Sequence, residues 1–221
     1  MFILLSVFTY AQDVEEEAER PQIKDSTHQL RLGVDAFKIV TNQLQTQRQS
    51  YELIFDYYWK KDLYFVAEGG WGNAQLDYTD LAYKSSNTFF KLGFDKSILS
   101  RLTSKDWDLA FIGLRYGMGL VERGDAFYSI TDSLWGTTSG TVAGTNFTAH
   151  WLEITGGVRV EMVKNIFVGW NVRGKFILNG KKFKELPPYY IAGYGNGEKN
   201  TIFDFNVYLC YAIRWKMKHP K

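Results

Sequence analysis

The run from Phe203 to Trp215 constrains the chain most. Its odd positions, Phe203, Phe205, Val207, Leu209, Tyr211, Ile213 and Trp215, are all apolar or aromatic, while Asp204, Asn206 and Arg214 stand at even ones. A period of two held for so long is a β-strand with two unlike faces. Related runs recur about eight times along the chain, and an even number of such strands closes into a barrel.

Seven further strands follow from the same alternation, with ends uncertain by about two to four residues. The first, roughly residues 29–39, puts Leu30, Leu32, Val34 and Ala36 on one face and Arg31, Gly33 and Asp35 on the other. The second, roughly 48–58, sets Tyr51, Leu53, Phe55 and Tyr57 against Glu52 and Asp56. The third, roughly 63–75, sets Leu63, Phe65, Ala67 and Trp71 against Glu68, Gly70 and Gly72. The fourth and fifth, roughly 87–96 and 107–120, carry Lys91, Asp95 and Arg115 on their polar faces. The sixth, roughly 148–163, opposes Leu152, Ile154, Val158, Val160 and Met162 to Glu153, Thr155, Arg159 and Glu161. The seventh, roughly 166–178, opposes Val168, Trp170, Val172 and Phe176 to Asn171, Arg173 and Lys175.

Connections alternate in length. Lys60-Lys61 and Lys164-Asn165 read as tight turns, and residues 97–106 as a modest one. Residues 40–47, 77–86, 121–147 and 179–200 read as longer links at the opposite end. Short periplasmic turns and long external loops are the habit of outer-membrane barrels. The expected fold is therefore all-β, an eight-stranded antiparallel up-and-down transmembrane β-barrel over residues 29–216. Residues 1–11 read as a truncated signal peptide without its basic start, 12–28 as a periplasmic lead-in and 217–221 as a C-terminal tail.

Which face points outward is a question of volume. An eight-stranded barrel has an interior just wide enough to be filled by side chains. The apolar face carries too many Phe, Tyr, Trp and Leu residues to fit there; the other face mixes glycine with charge. Turned inward, Asp35, Glu52, Asp56, Glu68, Asp95, Glu153, Glu161 and Asp204 meet Arg31, Lys91, Arg115, Arg159, Arg173, Lys175 and Arg214. Such a network is expected to plug the lumen, because eight strands leave no aqueous channel. Tyr57, Trp71, Trp107, Trp170, Tyr211 and Trp215 are expected to form aromatic girdles. A slightly negative mean hydropathy does not speak against this, since lipid-facing residues alternate with polar ones. No window approaches the roughly 18 unbroken apolar residues of a membrane helix.

Several local runs resemble a known family: Arg31-Leu32-Gly33-Val34-Asp35, Gly113-Leu114-Arg115-Tyr116-Gly117, His150-Trp151-Leu152-Glu153, Val172-Arg173-Gly174-Lys175-Phe176 and Pro187-Pro188-Tyr189-Tyr190-Ile191-Ala192-Gly193-Tyr194-Gly195. In their order along the chain they resemble an outer-membrane β-barrel family of Bacteroidetes, domain-of-unknown-function family 6048. The resemblance implies a location in the outer membrane of a Gram-negative bacterium, and it brings no activity, ligand or catalytic residue. Many outer-membrane barrels end on an aromatic residue, whereas here Trp215 is followed by Lys216 to Lys221.

Chemistry is sparse. The formal net charge is +2, with no basic stripe for nucleic acid. The single cysteine, Cys210, reads as an inert barrel residue, and no cofactor is implied. His28, His150 and His219 lack metal spacing; His28 and His219 read as solvated, His150 as an outward rim residue. An enzyme is not expected; a lipid-modifying enzyme at the rim near His150 and a secreted soluble ligand-binding barrel are the alternatives. Binding residues gather on loops held by rigid scaffolds. In the fourth link, Lys181, Lys182 and Lys184 would pair with lipopolysaccharide phosphates, and Tyr189, Tyr190 and Tyr194 would stack on sugars or an envelope protein partner. The third link, with Phe127, Tyr128, Trp135 and Phe147, is a second candidate.

Overall fold

The computed structural model describes residues 27–60, 62–99, 106–180 and 186–216. Its strands are β1 (Thr27–Asp35), β2 (Arg48–Lys60), β3 (Leu63–Asp77), β4 (Leu81–Ser97), β5 (Leu109–Arg123), β6 (Ala126–Asp132), β7 (Gly136–Val142), β8 (Thr145–Val163), β9 (Ile166–Ile177) and β10 (Thr201–Lys216). All pairings are antiparallel, and eight of these strands close a ring in the order β1-β2-β3-β4-β5-β8-β9-β10. Closure is made by β1 on β10, where Leu32 stands opposite Tyr211. A closed ring leaves no unpaired edge.

Two connections at the end where β1 begins and β10 finishes, the terminus end of the described residues, are tight. Val163 pairs with Ile166, and Asn165 takes a left-handed conformation with φ 67°. Lys60 pairs with Leu63, and Asp62 does the same at φ 59°. Asn and Asp tolerate this region because their short side chains hydrogen-bond locally.

The other end departs from the sequence reading in three ways. The first strand stops at Asp35, and Ala36 opens a helix, α1 (Ala36–Leu44), where strand and then link were expected. Asp35 caps it by accepting a hydrogen bond from the Lys38 amide at 3.1 Å, and a satisfied cap outweighs alternation that continues for a few residues. The expected link 77–86 is mostly strand, because β3 and β4 extend until Asp77 pairs with Ala82. The expected link 121–147 contains the end of β5 and the β6–β7 hairpin, which pairs with β4 at Leu81 and Ala82. At the start, β1 already includes Thr27 and His28, two residues before position 29. The signal-like residues 1–11 and the tail 217–221 lie outside the described residues.

Alternation sorts the faces. Phe205, Leu209 and Ile213 on β10 are 43%, 48% and 45% exposed and point out of the cylinder. Between them, Asn206, Tyr208, Cys210 and Ala212 are buried toward the axis. The outward belt continues through Leu53, Phe90, Leu92, Leu114, Ile154, Val168 and Val172. Such a belt is far larger than the apolar patches that water-soluble monomers expose.

Candidate functional site

The lumen has three layers. At the terminus end Ile54, Val66, Trp107, Phe167, Tyr208, Cys210 and Ala212 form one apolar cluster, with Tyr64, Leu109 and Phe111 beside it. At the loop end Phe89, Val121, Ala149, Trp151, Tyr190, Ile191, Ala192 and Tyr194 form another. Charge fills the space between them.

That charged layer is one connected network. Asp56 accepts from Arg31 Nε at 2.6 Å and from Arg159 Nη1 at 2.9 Å. Arg159 continues to Asp95 at 3.2 Å, which Arg115 grips at 3.0 and 3.1 Å. Arg115 Nε lies 3.3 Å from Glu68, which Lys91 and Arg173 also contact at 2.6 and 2.8 Å. Glu52 then joins Lys91, Arg173, Lys38 and the Tyr208 hydroxyl. Glu153 accepts from Trp151 Nε1 at 2.7 Å, tying this layer to the cluster at the loop end. Low dielectric makes such pairs strong and an unpaired member costly.

The cluster at the loop end is made by the chain itself. Residues after Pro188 enter the mouth, where Ile191 bridges to Gly195 in a tight turn. Gly193 has φ +80°, and a Cβ there would stand 2.5 Å from the Phe89 ring. Lys175 holds the turn from below, donating to the carbonyls of Gly193 at 2.8 Å and Tyr194 at 3.2 Å and to Asp204 at 2.6 Å. Tyr194 donates to the Lys199 carbonyl at 2.6 Å, and its burial pushes the phenol pKa up to about 12. Burial raises the Tyr190 phenol as well. Lys38 reaches into the mouth from α1; burial works against its charge, but Glu52, Asp204 and Tyr190 prevail and raise its pKa.

Cavities open at the loop end. A cup of about 680 Å³ is lined by Gln47, Gln49, Asn73, Gln75 and Asn146 together with Lys84, Ser85, Glu122 and Arg123. A groove of about 470 Å³ lies between α1 and the fourth link, reaching Arg48, Tyr190 and Lys199.

The structure buries Arg31, Asp35, Glu52, Asp56, Glu68, Lys91, Asp95, Arg115, Glu153, Arg159, Arg173 and Lys175 within the barrel. Glu161, Asp204 and Arg214 are only partly buried, and Glu161 pairs with Arg214 at 2.6 Å apart from the main network. Asp35 serves as helix cap and accepts from Asn206 at 2.5 Å.

Several expectations need correction. Trp107 is 3% exposed and sits inside with the terminus-end cluster, not in an outer girdle. His28 is not simply solvated: its ring stacks with Tyr57 and Trp215, and its Nδ1 lies 2.9 Å from the Tyr57 hydroxyl. Tyr190 and Tyr194 are 8% and 1% exposed, so they plug the mouth and offer no outer stacking face. Tyr189 is half-buried, its amide donating to the Tyr83 hydroxyl at 2.8 Å. Lys181, Lys182 and Lys184 lie outside the described residues. His150 is stacked on Tyr116, whose hydroxyl meets its Nδ1 at 2.6 Å. On the β6–β7 hairpin Phe127 and Trp135 are exposed, whereas Phe147 packs against the mouth cluster.

Reading by alternation missed Lys38, Arg123 and Tyr208. Lys38 is on the unexpected helix, where a period of two means nothing. Arg123 and Tyr208 had a signal: each shares parity with inward residues of its own strand, Arg115 and Asn206.

Ring closure, a packed polar axis and an apolar outer belt together define a small closed up-and-down β-barrel. The chain belongs to the family described as Domain of unknown function (DUF6048), whose family model matches residues 1–218. No curated protein matches it. Among solved structures it is similar to Neisserial surface protein A (NspA), at 13% identity, 86% coverage of this chain, 96% of that one and a TM-score of 0.36. It is also similar to the N-terminal β-barrel domain of Pseudomonas aeruginosa OprF, at 9% identity, 86% and 98% coverage and a TM-score of 0.26. The fold itself rests on the strand pairings above.

Proposed function

We propose that this barrel spans the outer membrane of a Gram-negative bacterium as a closed, non-catalytic envelope protein that binds through its loop end. The observation that carries the reading is the belt: large apolar side chains face outward on all eight ring strands while ionised ones crowd the axis. In water such a surface would drive aggregation; in hydrocarbon it is the stable arrangement. Aromatics mark both ends of the belt, with half-buried Tyr57 and exposed Trp59 and Trp215 toward the start of β1, and exposed Tyr51 and Trp71 toward the loops. Aromatic rings with polar tips favour the interface between hydrocarbon and headgroups.

Helix α1 supports the same reading. Phe37, Val40 and Leu44 are exposed on its outer side, while Lys38 and Asn42 bond inward to Glu52 and Ser50. Phe37 meets Phe205 of the belt edge-on at 5.9 Å, so the helix continues the lipid-facing surface. Lipid is thus one partner, and the loop end is left for an envelope component such as lipopolysaccharide or another protein.

Membrane fractionation with a carbonate wash tests the proposal, together with a protease-cleavable tag inserted after Asp132 in the β6–β7 turn. The protein should stay in the membrane fraction and the tag should be cut in intact cells. Recovery in the wash, or a tag cut only after lysis, would refute it.

A further inference from the structure

At the loop end the barrel wall is not strand all the way round. β1 pairs with β10 only as far as Asp35 opposite Tyr208, and with β2 only as far as Val34 opposite Leu53. Beyond these pairs, residues 201–207 of β10 and 48–52 of β2 have no strand between them. Helix α1 fills the gap. Asn42 exchanges hydrogen bonds of 2.8 Å with the Ser50 backbone of β2, and Phe37 meets the Phe205 ring of β10. A helix covers a strand edge without pairing each of its backbone groups. The Phe205 amide is met there by Asp204 Oδ1 at 3.0 Å in place of a strand carbonyl, and the 470 Å³ groove stays open between α1, β10 and the fourth link.

Because the gap interrupts the wall, the groove joins the outer belt to the mouth. Its outer lip carries Phe37, Phe203 and Phe205, which are 43%, 78% and 43% exposed. Its inner part is cationic. Lys38 and Lys175 are already matched there, by Glu52 and Asp204. Asp204, the one carboxylate lining the groove among the described residues, is itself occupied by Lys175 and the Phe205 amide. Arg48 and Lys199 line the same groove, and both are exposed. Neither meets a carboxylate among the described residues. Arg48 shares the inward parity of Ser50 and Glu52, so it reaches across the mouth. Its guanidinium lies over the Tyr190 ring at 5.7 Å, and its Nε bonds the neutral Gln45 side chain. Two cations without a counter-ion thus share one groove.

We infer that the groove takes the phosphate headgroup of a lipid from the surrounding leaflet. Arg48 and Lys199 hold the phosphate, and the acyl chains lie along Phe37, Phe203 and Phe205. Charge complementarity names the headgroup, because a guanidinium fork and an ammonium both bind phosphate oxygens through charge-assisted hydrogen bonds. Basic pockets beside membrane-spanning segments bind anionic headgroups in this way. Continuity with the belt names the source. A lipid against Phe203 enters sideways with its chains still in hydrocarbon, whereas a free anion would leave the aromatic lip unused. The site rests on the proposed membrane location, since only there does lipid lie against Phe203.

Native mass spectrometry of the purified chain in neutral detergent tests this, with dioctanoyl phosphatidate, dioctanoyl phosphatidylcholine and inorganic phosphate as probes. Phosphatidate should bind at least about tenfold more tightly than phosphatidylcholine, the difference a charge-assisted hydrogen bond makes. Inorganic phosphate should bind more weakly still. Arg48→Gln combined with Lys199→Gln should remove the preference for phosphatidate, and Phe203→Ser should weaken its binding several-fold. All three positions are exposed, so the unfolding midpoint should hardly move. Lys84→Gln, which removes an exposed cation from the other cavity, should leave binding as it was. Equal binding of phosphatidylcholine, phosphate binding as tightly as phosphatidate, full affinity in the folded double variant, or an equal loss in Lys84→Gln would overturn the inference. Because the measurement needs no bilayer, its failure would leave the membrane proposal to be judged by fractionation alone.

Discussion

Arg173 and Glu68 meet as a two-pronged ion pair across the lumen, Nη1 to Oε2 and Nη2 to Oε1, each at 2.8 Å. They stand on β9 and β3, four places apart in a ring of eight, so the pair spans the barrel from wall to wall. Arg159 of β8 and Asp56 of β2 repeat the relationship at 2.9 Å. These crossings do for the barrel what an apolar core does for a sandwich. Replacing Arg173 by Met takes from Glu68 its two-pronged partner, leaving it Lys91 and Arg115, and weakens the hold on Glu52; it should cost about 3 kcal/mol. Combining it with Glu68→Met should recover part of the loss, because removing one cation and one anion together restores the charge balance, and Lys91 and Arg115 keep Glu52 and Asp95. Urea unfolding midpoints in lipid vesicles would measure both, and an additive double variant would show that the two residues are not coupled.

Most of this architecture can be read from a period of two. Glu153, Arg159 and Arg173 share parity with small or polar neighbours and lie at the axis, while Ile154, Val158 and Val172 lie on the outer face. The reading fails where a residue's fate is decided off the strand. Lys38 enters the lumen because Asp35 caps a helix, and a cap is a local event that alternation overlooks. Tyr190 and Tyr194 turn inward because Gly193 and Gly195 permit positive φ next to Phe89, which composition alone presents as a flexible loop. Trp107 is a different case: its parity with Leu109 and Gly113 points inward, but residue type argues for a girdle. Position prevails over type there, because the terminus end of the lumen needs a bulky apolar filler.

The fourth-link plug should loosen at high pH. Tyr194 has its pKa raised to about 12, so the folded plug favours the neutral phenol. Stability from a raised pKa is fully present below the unfolded value near 10 and is lost as pH climbs through the folded one. Tyr190 is shifted in the same direction and adds to the effect. Limited proteolysis within residues 186–200 should therefore accelerate between about pH 10 and 12. The double variant Tyr190→Phe, Tyr194→Phe should flatten that rise, whereas an unchanged profile would place the sensitivity elsewhere.

Gly193→Val should open the plug at neutral pH. The substitution forces a β-branched residue to φ +80° and drives its Cβ to 2.5 Å from the Phe89 ring. Backbone strain of this kind costs about 1–3 kcal/mol, before the clash is counted. Faster cleavage after Pro188, with the barrel's unfolding midpoint little changed, is the expected result. Planar-bilayer recordings of this variant should still show no stable ohmic level, because the charged layer and the Trp107 cluster close the lumen below the plug. A steady open level would mean that the mouth was the only seal.

Helix α1 gives the sharpest test of where the membrane surface lies. Its outer residues Phe37, Val40 and Leu44 sit at the rim, level with the loop-end part of β10 that Phe37 touches through Phe205. Charged substitutions on a barrel's lipid face cost only about 0–1 kcal/mol near an interface, so Val40→Lys would move stability too little to decide the question. Depth is the better readout. In a Cys210→Ala background, a fluorophore on a cysteine at Val40 should be quenched by brominated lipid at least about threefold more than one at Ser133 in the β6–β7 turn. Equal, weak quenching at both sites would put α1 in water, and its exposed apolar face would then need a protein partner to cover it.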